Sequence, residues 1–245
     1  MLSNFLPIYI KKYIRKKLRL PEIQYQNIFT EKKLKEYHSK DFNFYHEKFS
    51  YIEHLNVNKK DKQTLTEDLN VTRFRNYINF IFADYAIRKN PIGNFMSVGV
   101  SYGTTAKVIT HMLDNKIKKA KYFLIDNYQN VGNNNFNTDI NLVKKDLSDV
   151  KNFEFFFIKE LLNTSSLSKI DDNLIFSHLN ANSFETESKF LPTIIDKTKS
   201  DGVLIYDHYG WLHENEQEKI DNILNSYSNI QKIVMPSLQL ILIKH

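Results

Sequence analysis

Along most of this chain, short apolar runs alternate with longer stretches whose apolar residues recur at helical spacing. Residues 95–100 form one apolar run, and a turn containing Gly99 and Gly103 overlaps its end. Ala106, Ile109 and Leu113 then fall on one face of a helix that Thr104 or Thr105 can cap. The same reading predicts strands over 121–125, 153–158, 173–179, 202–206, 230–234 and 238–243. It predicts helices over 65–89, 140–147, 183–199 and 214–227, with Pro192 expected to kink or break the third of these. Residues 127–137, rich in Asn and Gly, must form a loop. Residues 21–63 are polar with scattered aromatics and no clean period, which suits irregular or short-helical cover. The last two strand-like runs are joined by Met235, Pro236 and Ser237, too few residues for a crossover helix, so they pair antiparallel. The expected fold is α/β: a doubly wound, mostly parallel sheet closed by a C-terminal antiparallel hairpin.

Strand, glycine turn and helix together bring a nucleotide-like cofactor against bare backbone and a helix N-terminus. That makes Gly99, Ser101, Gly103, Thr104 and Thr105 candidate cofactor contacts. The second strand ends in Asp126, where a carboxylate can accept hydrogen bonds from ribose hydroxyls. The run Gly99-Val-Ser-Tyr-Gly103 is not the full G-x-G-x-x-G fingerprint, and a tight turn with no ligand has the same pattern. Two later strands also end in polar groups at the carboxyl edge, Asn180 in one and Asp207 with His208 in the other. His178, inside its strand, reads as a core residue.

Charge adds one localised feature. The chain has 245 residues and a net charge of +6. The first twenty residues carry Lys11, Lys12, Arg15, Lys16, Lys17 and Arg19 and no acid; without these six, the bases equal the 28 acids. Bulk charge therefore gives no reason to expect a nucleic-acid partner. Leu6, Ile10, Ile14 and Leu18 recur every four residues opposite the basic side. Such a helix binds a membrane surface or a partner, or docks on its own domain with the basic face in solvent. There is no cysteine, which excludes disulfides, thiolate metal ligands and cysteine nucleophiles. With no spanning run and no signal-peptide pattern, the expected location is cytoplasmic, with peripheral contact at the inner face of the membrane through residues 1–20. The oligomeric state stays open, a homo-oligomer included.

Four segments resemble the macrocin O-methyltransferase family, within the class I S-adenosylmethionine-dependent methyltransferases. Met96-Ser-Val-Gly-Val-Ser-Tyr-Gly-Thr-Thr105 resembles the family's V-E-F-G-V-x-x-G-G-S, and Leu124-Ile-Asp-Asn-Tyr128 its L-x-D-S-F. Phe176-Ser-His-Leu-Asn-Ala-Asn-Ser-Phe-Glu185 resembles I-H-L-D-V-D-L-Y-E, and Asp201-Gly-Val-Leu-Ile-Tyr-Asp-His-Tyr-Gly210 resembles G-G-x-x-x-x-D-D-Y-G. The resemblance implies a Rossmann-like, seven-stranded methyltransferase fold over residues 64–245, with residues 1–63 as an extension. It implies S-adenosylmethionine as cofactor and a hydroxyl of a sugar, nucleotide-sugar or surface-glycan precursor as acceptor.

The departures bear on mechanism. In the family, the first acid of D-V-D and both acids of D-D-Y hold a divalent metal, and the second acid of D-V-D is a candidate base. Here those positions are Asn180, Asp207, His208 and Asn182. One carboxylate, one amide and one imidazole make a poor magnesium site, although a softer ion tolerates such a set. No metal is therefore expected. Methyl transfer from a sulfonium to oxygen needs alignment and removal of the hydroxyl proton, which a neutral imidazole can accept. The expected catalytic residues are His208 and Asp207, and Asn180 is expected to contact cofactor or substrate. Tyr209 and Trp211 could wall an acceptor pocket. The competing readings are a catalytically silent domain that binds cofactor or a partner, and an NAD-dependent oxidoreductase. The incomplete glycine fingerprint and the terminal hairpin argue against the oxidoreductase.

Overall fold

The computed structural model describes residues 69–128, 140–181, 183–235 and 237–245, and the predictions made for residues 1–63 and for most of the 127–137 loop lie outside them. The described chain begins with helix α1 (Leu69–Lys89), which Pro91 and Gly93 follow. Strand and helix then alternate: β1 (Asn94–Val98), α2 (Thr104–Leu113), β2 (Ala120–Asp126), α3 (Ile140–Asp146), β3 (Phe153–Lys159), α4 (Thr164–Ser168), β4 (Leu174–Leu179), α5 (Phe184–Lys197) and β5 (Thr198–Tyr206). Helix α6 (Glu214–Asn225) leads into the hairpin of β6 (Ile230–Val234) and β7 (Leu240–Lys244).

Among the described residues the sheet has seven strands, in the order β3-β2-β1-β4-β5-β7-β6. The first five run parallel, while β7 pairs antiparallel with both β5 and β6. Winding starts at β1 and proceeds outward in both directions, so the switch in direction falls between β1 and β4. Both faces are covered, which is why the inner strands read as unbroken apolar runs. Alternate residues divide between two cores. Phe95 and Tyr122 pack with α1, α2 and α3 on one face, whereas Met96 and Phe123 pack on the other with α4, α5 and α6. Among the described residues, no helix is long and apolar enough to cross a membrane.

The structure departs from the predicted elements at four places. Gly103, in the left-handed region at φ 75°, is the N-cap of α2, in place of Thr104 or Thr105. The Thr105 hydroxyl instead donates to Asn76 Oδ1 on α1 at 2.9 Å. Helix α5 runs through Pro192 and ends at Lys197, and Thr198 already belongs to β5. Strand β5 pairs with β4 at Thr198 and again from Val203, and the intervening residues, with Asp201 at φ 58°, shift the register. Helix α4 has no apolar period to announce it. A reciprocal capping box sets it instead: Asn163 Oδ1 accepts from Ser166 N, and Ser166 Oγ accepts from Asn163 N, both at 2.9 Å.

Candidate functional site

The carboxyl ends of the parallel strands place all the predicted site residues along one edge of the sheet, in two neighbouring groups. The first surrounds β1 and β2. Gly99 adopts φ 75°, and a Cβ there would lie 2.0 Å from the carbonyl oxygen of Asn180. Only glycine lets the turn after β1 touch the end of β4 this closely. The contact is locked from both sides: Gly99 N–H donates to Ile125 O at 3.0 Å, and Asn180 N–H donates to Val98 O at 2.9 Å. Asp126 closes the group. Its Oδ2 accepts from Ser101 N at 2.8 Å and its Oδ1 from Tyr128 N at 2.9 Å. Ser101 and Tyr128 both have positive φ, so the two turns are built around this one carboxylate. Ser97, where the resembled family has Glu, is buried and shares a hydrogen bond of 2.8 Å with the Tyr122 hydroxyl.

The second group lies past β5. Asp207 is buried, and both its oxygens are engaged. Arg75 Nη1 on α1 lies 3.2 Å from Oδ2, and Gln239 Nε2, just before β7, donates to Oδ1 at 2.6 Å. The Gln239 amide also reaches Asn79 Oδ1 at 2.9 Å, and the Ser237 hydroxyl donates to Gln239 Oε1 at 2.7 Å. Arg75 Nε donates to Ser237 O at 3.1 Å. His178 Nε2, buried in β4, stands 3.5 Å from Asp207 Oδ1. Burial pushes the Asp207 carboxyl up, but His178 and the Arg75 guanidinium outweigh it and hold the group well below the usual carboxylate range.

His208 is half-buried, and its Nδ1 is shielded from solvent with no hydrogen-bond partner among the described residues. Burial lowers its pKa. The neighbouring Asp207 pulls the other way, and Arg75 and His178 add to the lowering. These surroundings favour the uncharged form of the imidazole. Deeper still, Glu187 on α5 accepts from Ala181 N at 2.5 Å. Burial raises its pKa, against the Ala181 N–H and the Tyr206 hydroxyl.

No protein-family model matches the chain, and no curated protein matches it in sequence. Solved structures do match it in fold. The O-methyltransferase NovP superposes with a TM-score of 0.57 at 14% identity, covering 69% of this chain and 79% of that one. The selenomethionine-substituted CurJ carbon methyltransferase superposes with a TM-score of 0.50 at 12% identity, covering 76% of this chain and 57% of that one. The fold is that of a class I S-adenosylmethionine-dependent methyltransferase. By their names, one of these two proteins methylates oxygen and the other carbon, so the shared fold does not choose the acceptor atom.

In this methyltransferase-like fold the chemistry of the first group is compatible with a ribose-bearing cofactor such as S-adenosylmethionine. Each Asp126 oxygen accepts one backbone N–H and keeps a lone pair, and the carboxylate is partly exposed, so ribose hydroxyls can still donate to it. No side chain caps α2 at Gly103. The second group does not fit a divalent metal. Its one carboxylate is already neutralised by a guanidinium and bonded by an amide, whereas magnesium requires oxygen donors with net negative charge. Among the described residues, no three His, Asp or Glu side chains gather as metal ligands.

The structure thus places Gly99, Ser101, Gly103, Asp126 and Asn180 together at the β1–β2–β4 end, and Asp207 with His208 at the β5 end. Thr105 turns toward α1. Tyr209 is buried and donates its hydroxyl to Asp221 Oδ2 on α6 at 3.0 Å, so it braces the fold more than it walls a pocket. The side chain of Trp211, and Asn182 altogether, lie outside the described residues. Sequence reasoning missed Arg75, Asn79, Ser237, Gln239 and Glu187. One signal was present: Arg75 and Asn79 stand four residues apart on a helix, so they share a face.

Proposed function

We propose that this chain is an S-adenosylmethionine-dependent O-methyltransferase that acts without a divalent metal, with His208 as the base. The observation that carries the reading is the presence, on one sheet edge, of a braced acid at Asp126 and a half-buried imidazole at His208 whose Nδ1 has no hydrogen-bond partner among the described residues. The cofactor supplies a methyl carbon made electrophilic by a sulfonium. The turn Gly99 to Thr105, with Asp126 and Asn180, holds it at the switch between β1 and β4. His208 receives the proton of the acceptor hydroxyl on a ring nitrogen, and Asp207 fixes the strand end that carries the imidazole. An uncharged base is what the step requires, because a protonated imidazole has no lone pair to offer.

The acceptor follows from the resemblance to the macrocin family: a hydroxyl of a sugar, nucleotide-sugar or surface-glycan precursor. The six-base block in residues 1–20 supports peripheral contact with an anionic membrane where such precursors are assembled. Two measurements test the reading. Calorimetry should detect S-adenosylhomocysteine and no NADH. Mass spectrometry of sugar and nucleotide-sugar panels incubated with S-adenosylmethionine should show the addition of one methyl group, lost in His208→Ala. The engagement of Asp207 by Arg75 favours one other reading, a catalytically silent domain that binds the same cofactor. Cofactor binding with no methylated product across such panels would select it.

A further inference from the structure

Arg75 lies outside the strand–helix alternation that builds the sheet, yet its guanidinium joins three parts of the fold. From α1 it reaches Asp207 Oδ2 past the end of β5 and Ser237 O in the hairpin turn. Its side chain is 14% exposed and that of Asp207 only 6%. Asn79, one helical turn further along α1, accepts from the same Gln239 amide that donates to Asp207. A buried carboxylate must have a counter-charge, and here a helix of the chain itself provides it.

We propose that Arg75 is the built-in cation of the acceptor edge: a positioning residue that holds Asp207 as an internal ion pair, fixes the strand end bearing His208, and excludes divalent ions from that carboxylate. Where turnover is concerned this rests on the methyltransferase reading; the ion pair and the exclusion do not. A cation approaching Asp207 would meet the Arg75 guanidinium, which lies 3.2 Å from Oδ2. With the guanidinium gone, the buried Asp207 carboxylate loses its counter-charge and becomes a hard oxygen donor open to a cation such as Mn2+.

The test is made on the full chain with Mn2+ as probe. Electron paramagnetic resonance of free Mn2+ should show no binding by wild type at millimolar concentration. Arg75→Met should lower Tm by about 6–12 °C, the scale for leaving one partner of a buried pair uncompensated in a chain of this size. It should also bind Mn2+ at least about tenfold more tightly than wild type, because the repelling charge is removed, and Mn2+ should raise its Tm. The double variant Arg75→Met/Asp207→Asn should recover most of the lost Tm and lose the Mn2+ response, since both charges leave together. Arg75→Lys, which restores the charge without the planar fork, should again refuse Mn2+ and recover part of the Tm.

Mn2+ binding by wild type that Asp207→Asn abolishes overturns the proposal, and this measurement needs no folded Arg75→Met. Additive losses in the double variant overturn it too. Calorimetry with S-adenosylhomocysteine separates the two claims: wild type that binds no cofactor defeats the methyltransferase reading, while the Tm and Mn2+ results still decide the ion pair.

Discussion

The two ends of the site edge are held by different means. At β1 and β2 the geometry is made by main chain: Gly99 against Asn180 O, with backbone N–H groups of Ser101 and Tyr128 on Asp126. All the parts but Asn180 come from within thirty residues of one another, counting Gly99 to Tyr128. At β5 the geometry is made by side chains from α1, β4 and the hairpin, all meeting Asp207. Arg75 is 132 positions away from it and Gln239 is 32. The first end keeps a shape that many sequences can encode, and the second commits this chain to one particular set of partners.

Perturbing each end separately should give distinct losses. The largest effect is expected at the β5 end, where His208→Ala should reduce turnover on the order of 10²–10⁴-fold with cofactor affinity nearly unchanged. In wild type, the acid limb of kcat/KM should lie below pH 6.5, because burial lowers the imidazole pKa and protonation removes the base. A limb centred above that value would contradict the assignment. Next is the main-chain contact. Gly99→Ala places a methyl group against Asn180 O in a backbone region that alanine disfavours, and should cost about 2–4 kcal/mol in urea unfolding. An unchanged midpoint would mean that the two strand ends can separate without penalty.

Asp126→Ala should weaken cofactor binding by about 1–3 kcal/mol in calorimetry, as charged hydrogen bonds are lost, with His208→Ala as the silent comparison. Equal losses in both variants would erase the distinction between the two ends. The smallest effect is expected at the link between α1 and α2. Thr105→Val removes the donor to the buried Asn76 Oδ1 and should cost about 0.5–1.5 kcal/mol of stability. Full retention of stability would show that another donor satisfies Asn76.

The same contrast explains what the sequence disclosed. Apolar runs such as Phe95 to Val98 and the helical spacing of Ala106, Ile109 and Leu113 are periodic, so the strands, the main helices and the terminal hairpin could be read directly. Gly99 and Asp126 were legible because the residues that explain them lie nearby in the chain. The link from Asp207 to Arg75 was not, because no local pattern relates a polar residue on one helix to an acid beyond a strand so far downstream. Helix α4 was hidden for another reason: a cap specifies it, and its five residues are too few to show a period. The end of α5 was misplaced because Lys197, Thr198 and Lys199 suit either state, and pairing of Thr198 with Leu174 decided it.

The position of Arg75 on α1 also bears on how far the chain can be shortened. A fragment beginning at Asn94 would keep every strand of the sheet and the helices between them, and by topology it would count as whole. It would nevertheless bury the Asp207 charge without the Arg75 guanidinium that compensates it, and leave the Gln239 amide without Asn79. The smallest self-sufficient unit therefore begins upstream of the first strand, and α1, which contributes nothing to the strand order, is indispensable to it.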